Sequence, residues 1–228
     1  MSESRAILRP VVPDQIRTCR IIAIGRNLDL ATVSTIAEGL REAGICAFEI
    51  TLNSAAALET IARLAARFAP DEFLIGAGTV LDAAQAQAAM DAGARFLVMP
   101  HTDPALIRWA AEREIPAFPG AFTPTEILAA WRAGAAAVKL FPASVAGPSF
   151  VREMHGPLPE IPLIPTGGVT VETAPAFIAA GALAVGMGSW LTGGGDAATI
   201  RERARQLLAA LSPAQRPPAP RSPAGSHT

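Results

Sequence analysis

Lys139 is the single lysine among 19 lysines and arginines, and it lies within the apolar run AAAVKLFP. Arginine replaces lysine well as a surface cation. A guanidinium, however, does not shed its proton to become an amine nucleophile that attacks a carbonyl. A buried, unpaired ammonium costs several kcal/mol, so a lysine in a strand of this composition needs a carboxylate partner or a lowered pKa. The carboxylate whose spacing fits is Glu49, in AFEIT. Such a pair supports an imine-forming amine with a carboxylate proton shuttle. It also supports a purely structural buried ion pair, although hydrophobic replacement of such pairs is often neutral or stabilising. Desolvation would lower the amine pKa and an ionised Glu49 would raise it.

Binding groups cluster at the ends of other apolar runs. Arg26 follows IIAIG and Thr79 follows LIGAG, where a cation and a hydroxyl suit a carboxylate. Thr166 to Val169 reads TGGV and Gly186 to Leu191 reads GMGSWL, and both follow short apolar runs. Glycine backbones at Gly167, Gly168 and Gly188, with Ser189, suit a phosphate. Phe141, two residues past Lys139, is expected to point inward and help keep the amine dry.

Stepping along the chain, strands are expected at CRIIAI, AFEIT, LIGAG, FLVM, AFPG, AAVKLF, LIPT and AVGM, each followed by a helical pattern. Their spacing of roughly 20 to 27 residues describes repeated βα units with right-handed crossovers and parallel strands. Four helices end in Ala-Gly directly before a strand, with Gly44, Gly93, Gly134 and Gly181 as C-caps of the helices preceding the second, fourth, sixth and eighth strands. A two-unit period suits a (β/α)8 barrel, whose interior layers are built from alternate strands, and an open doubly wound sheet does not predict it. The residue five positions after each glycine is Glu49, Val98, Lys139 and Gly186. Glu49 and Lys139 therefore share one phase on opposed strands, with Gly186 leaving room beside them. The fold class expected is α/β, a TIM barrel with an N-terminal helical segment, together spanning residues 1–211. Residues 212–228 read as a Pro-rich disordered tail.

Composition removes several other classes. A formal net charge of -1 and the lack of a basic stripe argue against nucleic acid, and there is neither a Walker motif nor a dinucleotide fingerprint. His101, His155 and His227 are scattered, so no metal is expected. Cys19 and Cys46 lack metal-ligand spacing, and two cysteines favour a reducing cytosolic setting over a disulfide framework. No apolar stretch approaches the roughly 20 residues needed to span a bilayer, and no signal-peptide pattern opens the chain.

The motifs EITLNS (Glu49 to Ser54), GAGTV (Gly76 to Val80), VKLFPAS (Val138 to Ser144) and PTGGV (Pro165 to Val169), in this order, resemble the class I 2-keto-3-deoxy-6-phosphogluconate and phosphogalactonate aldolases. The similarity spans roughly residues 14 to 205. The resemblance implies that Lys139 forms the Schiff base and Glu49 is the general acid/base. It implies Thr79 near the pyruvyl carboxylate, Pro100 and Phe141 lining the pyruvate pocket, and Gly167, Gly168, Gly188 and Ser189 holding phosphate. It further implies a cytosolic homotrimer that needs no cofactor and cleaves a phosphorylated keto-deoxy sugar acid to pyruvate and glyceraldehyde 3-phosphate. The gluconate-type enzymes carry an arginine where this chain has Asn53, whereas the galactonate-type ones resemble this chain there and share an arginine at the Arg26 position. Galactonate is therefore favoured, with Arg26 taking the carboxylate. A gluconate or 4-hydroxy-2-oxoglutarate aldolase, a metal-dependent aldolase or isomerase, and a non-catalytic phosphosugar-binding barrel are the alternatives.

Overall fold

The computed structural model describes residues 9–28 and 30–212. The first element, α1 (Asp14–Cys19), turns Ile16 and Cys19 inward. Arg20 then takes a left-handed conformation (φ 60°) that closes the helix through its N–H to the Ile16 carbonyl, so β1 (Ile21–Gly25) starts after it. There follow α2 (Val33–Ala43), β2 (Ala47–Thr51), α3 (Ala57–Arg67), β3 (Leu74–Gly78), α4 (Ala83–Asp91) and β4 (Leu97–Val98). Next come α5 (Pro104–Ala111), β5 (Ala117–Phe118), β6 (Gly120–Ala121), α6 (Pro124–Arg132), β7 (Val138–Leu140), α7 (Ala143–Met154) and β8 (Leu163–Pro165). The series ends with α8 (Ala174–Ala179), β9 (Val185–Met187), α9 (Ser189–Thr192) and α10 (Ala197–Leu211).

Local chemistry sets many of these boundaries. Asp82, Asp103, Thr123 and Asp196 cap helix N-termini with side-chain oxygens, and Thr123 with Glu126 forms a capping box. The four repeat glycines all hold positive φ, between 102° and 108°, which ends each helix and sends the chain directly into a strand.

All strand pairings are parallel. The protein is therefore an α/β fold, but its ladders form two sheets instead of one continuous eight-stranded ladder. The first is six-stranded, β5-β4-β3-β2-β1-β9, and the second is three-stranded, β6-β7-β8. The break falls inside the expected strand AFPG, at Pro119, which has no N–H to donate to a ladder. On either side of it, β5 pairs with β4 and β6 with β7. At the other junction Thr166 bridges Gly186, and Leu183 N–H donates to the Leu163 carbonyl at 2.9 Å.

Alternation along the strands sorts the core into two layers. An inner cluster holds Ile22, Ala47, Leu74, Phe96, Val98, Phe118, Ala137 and Ile164, with Val12 and Ile16 from the α1 region packed into it. An outer cluster holds the opposite strand faces, such as Ile21, Phe48 and Val138, against the helices. Glu49 lies between Phe48 and Ile50, both in the outer cluster, and Lys139 between Val138 and Leu140, also outer. Both charged residues therefore face the inner layer. Among the described residues no helix is long and apolar enough to cross a membrane. The expected tail beyond Ser212, and His227 within it, lie outside the described residues.

Candidate active site

Glu49 sits mid-strand on β2, opposite Ile24 of β1 and Gly76 of β3. Lys139 sits mid-strand on β7, opposite Gly120 of β6 and Ile164 of β8. They are 2% and 6% exposed, so both charges are withdrawn from bulk water. A narrow cavity of about 10 Å³ lies between them, lined by Glu49, Lys139, Val98, Gly186, Phe118 and Thr166 among others. The four residues that share the glycine-repeat phase therefore line one cavity. Its size matches a single water.

No ion pair within 4.0 Å joins Glu49 to Lys139 among the described residues. They act on each other through space. Burial pushes the Lys139 ammonium below its ordinary pKa, the charge of Glu49 opposes that, and Arg26 adds to it. Burial pushes the Glu49 carboxyl above the ordinary range, against the pull of Lys139 and Arg26. Each group is thus driven toward its neutral form, which gives a nucleophilic amine and a carboxyl able to give or take a proton.

Gly78 makes space for Glu49, and Gly186 for Thr166. A Cβ on Gly78 would come within 2.7 Å of Glu49 Oε1, and one on Gly186 within 2.3 Å of Thr166 Oγ1. The signal for Gly186 was in the repeat. Gly78 carried none, because only the register of β2 and β3 brings it beneath the carboxylate.

Above the narrow cavity opens a larger one of about 620 Å³, which also reaches Glu49 and Lys139. Arg26, Phe141, Thr166, Gly167, Gly168, Gly188 and Ser189 all line it. Gly167 and Gly168 hold φ of 86° and 75°, and side chains there would run into the Phe141 ring at 2.9 Å and Ser144 at 2.5 Å. Nothing lies within 4 Å of where a Gly188 Cβ would stand, so its backbone is open to a ligand. Trp190 and Thr170 line the same wall and were not singled out as site residues.

Arg26 reaches over the mouth of β2. It donates from Nη1 to Asn53 Oδ1 at 3.1 Å and from Nη2 to Thr79 Oγ1 at 3.5 Å. Thr79 thus meets the site through Arg26 and is not part of the lining of the large cavity. It also holds a left-handed φ of 57°, uncommon for a β-branched residue and invisible in the sequence. Phe141, expected to point inward, lines the larger cavity and is 40% exposed. Its ring centroid still lies 5.0 Å from Lys139 Nζ, within cation–π range. Strand β7 ends at Leu140, so strand alternation no longer governs the next side chain. Pro100 lines a neighbouring cavity of about 390 Å³ that shares Phe141 as a wall. Among the described residues no group of three His, Cys, Asp or Glu side chains is placed to hold a metal ion.

A family model for aldolases, KDPG and KHG aldolase, matches residues 12–205. Over 192 residues the chain is 42% identical to the probable 2-dehydro-3-deoxy-6-phosphogalactonate aldolase of Rhizobium meliloti (strain 1021), covering 83% of this chain and 90% of that protein. It is 36% identical over 198 residues to the 2-dehydro-3-deoxy-phosphogluconate aldolase of a Pseudomonas aeruginosa strain, covering 84% and 88%. A solved structure described as native KDPGal superposes with a TM-score of 0.80 at 33% identity, covering 83% of this chain and 93% of that one.

Proposed function

The chain belongs to the KDPG and KHG aldolase family, a family of lyases, and from that membership we propose that it cleaves 2-dehydro-3-deoxy-6-phosphogalactonate to pyruvate and D-glyceraldehyde 3-phosphate by a Schiff-base mechanism. The observation that carries the reading is the convergence of Lys139 and Glu49 on one water-sized cavity, with burial driving both toward neutrality.

Neutral Lys139 Nζ attacks the C2 ketone, and loss of water from the carbinolamine gives a protonated imine. That cation withdraws the electron pair of the C3–C4 bond as it breaks, leaving an enamine. Glu49, directly or through the water its cavity can hold, takes the C4 hydroxyl proton and releases the aldehyde. Protonation at C3 and hydrolysis of the imine return pyruvate and the free amine. Arg26, steadied by Asn53 and Thr79, binds the carboxylate. Pro100 and Phe141 flank the pyruvyl end. The backbones of Gly167, Gly168 and Gly188, with Thr166 and Ser189, take the phosphate at the far wall.

The galactonate assignment rests on Asn53, which accepts from Arg26 where the gluconate-type enzymes place an arginine of their own. The higher identity to the galactonate-type relative agrees with it. The gluconate epimer is the second reading, favoured by the 36% identity to the Pseudomonas aeruginosa enzyme. The two sheets are read as one closed ring of eight strands, with β5 and β6 as halves of one strand. The Thr166–Gly186 bridge, which joins β8 to β9, supports this. In this reading residues 1–211 form a single catalytic domain. From its family likeness the enzyme is read as a cytosolic homotrimer that acts without an external cofactor.

Pyruvate in deuterated water tests the mechanism, because enamine formation exchanges the methyl protons. Exchange, together with a borohydride-trapped adduct on Lys139, is the expected result. Absence of exchange, or an adduct elsewhere with activity intact, removes the imine route. Comparison of kcat/KM for the two C4 epimers then decides the substrate.

A further inference from the structure

At the end of the strands away from Lys139, the two cysteines of the chain meet. Cys19 closes α1 two residues before Ile21, and Cys46 immediately precedes β2. The β1–β2 register pairs Ala23 with Phe48, so two residues earlier it sets Ile21 beside Cys46. The thiols are thus brought to the N-terminal ends of adjacent parallel strands. Helix α1 also packs on β2, and the Cys46 side chain is the foremost influence on the Cys19 thiol. Both cysteines are free, Cys19 buried and Cys46 half-buried, and Cys46 Sγ donates to the Gly44 carbonyl at 3.3 Å. Retro-aldol chemistry at the opposite end makes no use of them.

We propose that Cys19 and Cys46 form a peroxide-sensitive dithiol that closes to an intramolecular disulfide and ties α1 to β2. The half-buried Cys46 meets the oxidant first. Its thiolate attacks one oxygen of a hydroperoxide, the O–O bond breaks, and the sulfenic acid forms as hydroxide (or alkoxide) leaves. Cys19 sulfur then attacks the Cys46 sulfur, expelling hydroxide, which leaves as water with the Cys19 proton. In total two thiols lose two electrons and two protons, and the peroxide is reduced to two water molecules, or to water and an alcohol. The neighbouring Cys19 thiol supports Cys46 as the attacking group, holding its pKa down to about 7, while Cys46 and then burial push Cys19 up. The consequence is mechanical. Val12 and Ile16, in and beside α1, pack into the inner core, so the bond pins that cover in place.

The full chain, treated with hydrogen peroxide, alkylated and digested with trypsin without reduction, tests this. The expected product has lost two hydrogens and yields a cross-link between peptides 18–20 and 42–63. Closing a loop of this length should raise Tm by roughly 5 °C or more. Dithiothreitol should reverse the rise, and turnover should be unchanged. Cys19→Ser and Cys46→Ser should each abolish the rise. Cys19→Ala, a small apolar replacement, serves if the serine variant does not fold. Sulfinic acid on Cys46 with Cys19 still free, a disulfide between two chains, or no reaction would overturn the proposal.

Discussion

Lys139 feels two charged neighbours of opposite sign, and each can be removed by itself. Glu49 holds the amine pKa up against burial, so Glu49→Gln should lower it further. The neutral amine then forms at lower pH, and the pH dependence of borohydride trapping with pyruvate should shift to lower pH in this variant. Turnover should nonetheless fall by roughly 10²- to 10⁴-fold, because the proton carrier is gone. Arg26 pushes both pKa values down, so Arg26→Gln should move the trapping profile the other way, to higher pH. Losing the carboxylate contact should raise KM for pyruvate-derived substrates by roughly 10- to 100-fold. Shifts of the same sign in the two variants would contradict the electrostatic account. Gly78→Ala is a steric counterpart, since its new methyl would lie 2.7 Å from Glu49 Oε1 and displace the carboxylate. It should lower kcat with little change in KM.

The α6 to β7 unit shows how an element delivers a reactive group. Thr123 and Glu126 start the helix, Gly134 ends it at φ 108°, and the chain enters β7 with Lys139 at its centre. Thr123→Ala should cost about 1 kcal/mol, or roughly 2–4 °C in Tm. Gly134→Ala places a Cβ on a left-handed residue and should cost about 1–2 kcal/mol. Thermal melts check both, and turnover per folded molecule should hold because β6 and β8 clamp β7 on either side. The same glycine made the site legible, because four Ala-Gly caps set a common phase and the phase picked Glu49 and Lys139 out of 39 charged residues. What stayed hidden depends on partners that spacing does not encode. Pro119 is visible in AFPG, yet the division into two sheets follows from which neighbour each half-strand bonds. Thr79 reads as a strand-end hydroxyl suited to a carboxylate, but its left-handed backbone and its contact with Arg26 are tertiary. Phe141 stands one residue past the end of β7, where alternation stops predicting direction. The approach of Cys19 to Cys46 was available in principle, since both lie within two residues of the start of neighbouring strands. It required register, not ligand spacing, to be seen.

At the scale of the whole molecule, a catalytic Lys139 and a structural one predict different effects on stability. The end away from the site is apolar, with Val12 and Ile16 closing over Ile22, Leu74 and Phe96. Mid-strand, the interior holds an amine and a carboxyl whose burial disfavours both charges. If the pair held the fold together, removing one partner would strand the other and cost about 3–5 kcal/mol. No contact within 4.0 Å joins them among the described residues, however, and Glu49 lines a cavity with room for water, so it can take up a proton when its partner is lost. Lys139→Met keeps the length of the side chain and removes the desolvation of the ammonium. At neutral pH it should abolish cleavage and imine trapping while Tm stays level or rises by a few degrees. Ile16→Ala should do the reverse, losing about 2–5 kcal/mol of stability and leaving kcat near that of the parent at low temperature. A fall in Tm of more than about 5 °C for Lys139→Met would make the buried pair a structural strut and leave the cavity without its nucleophile's rationale.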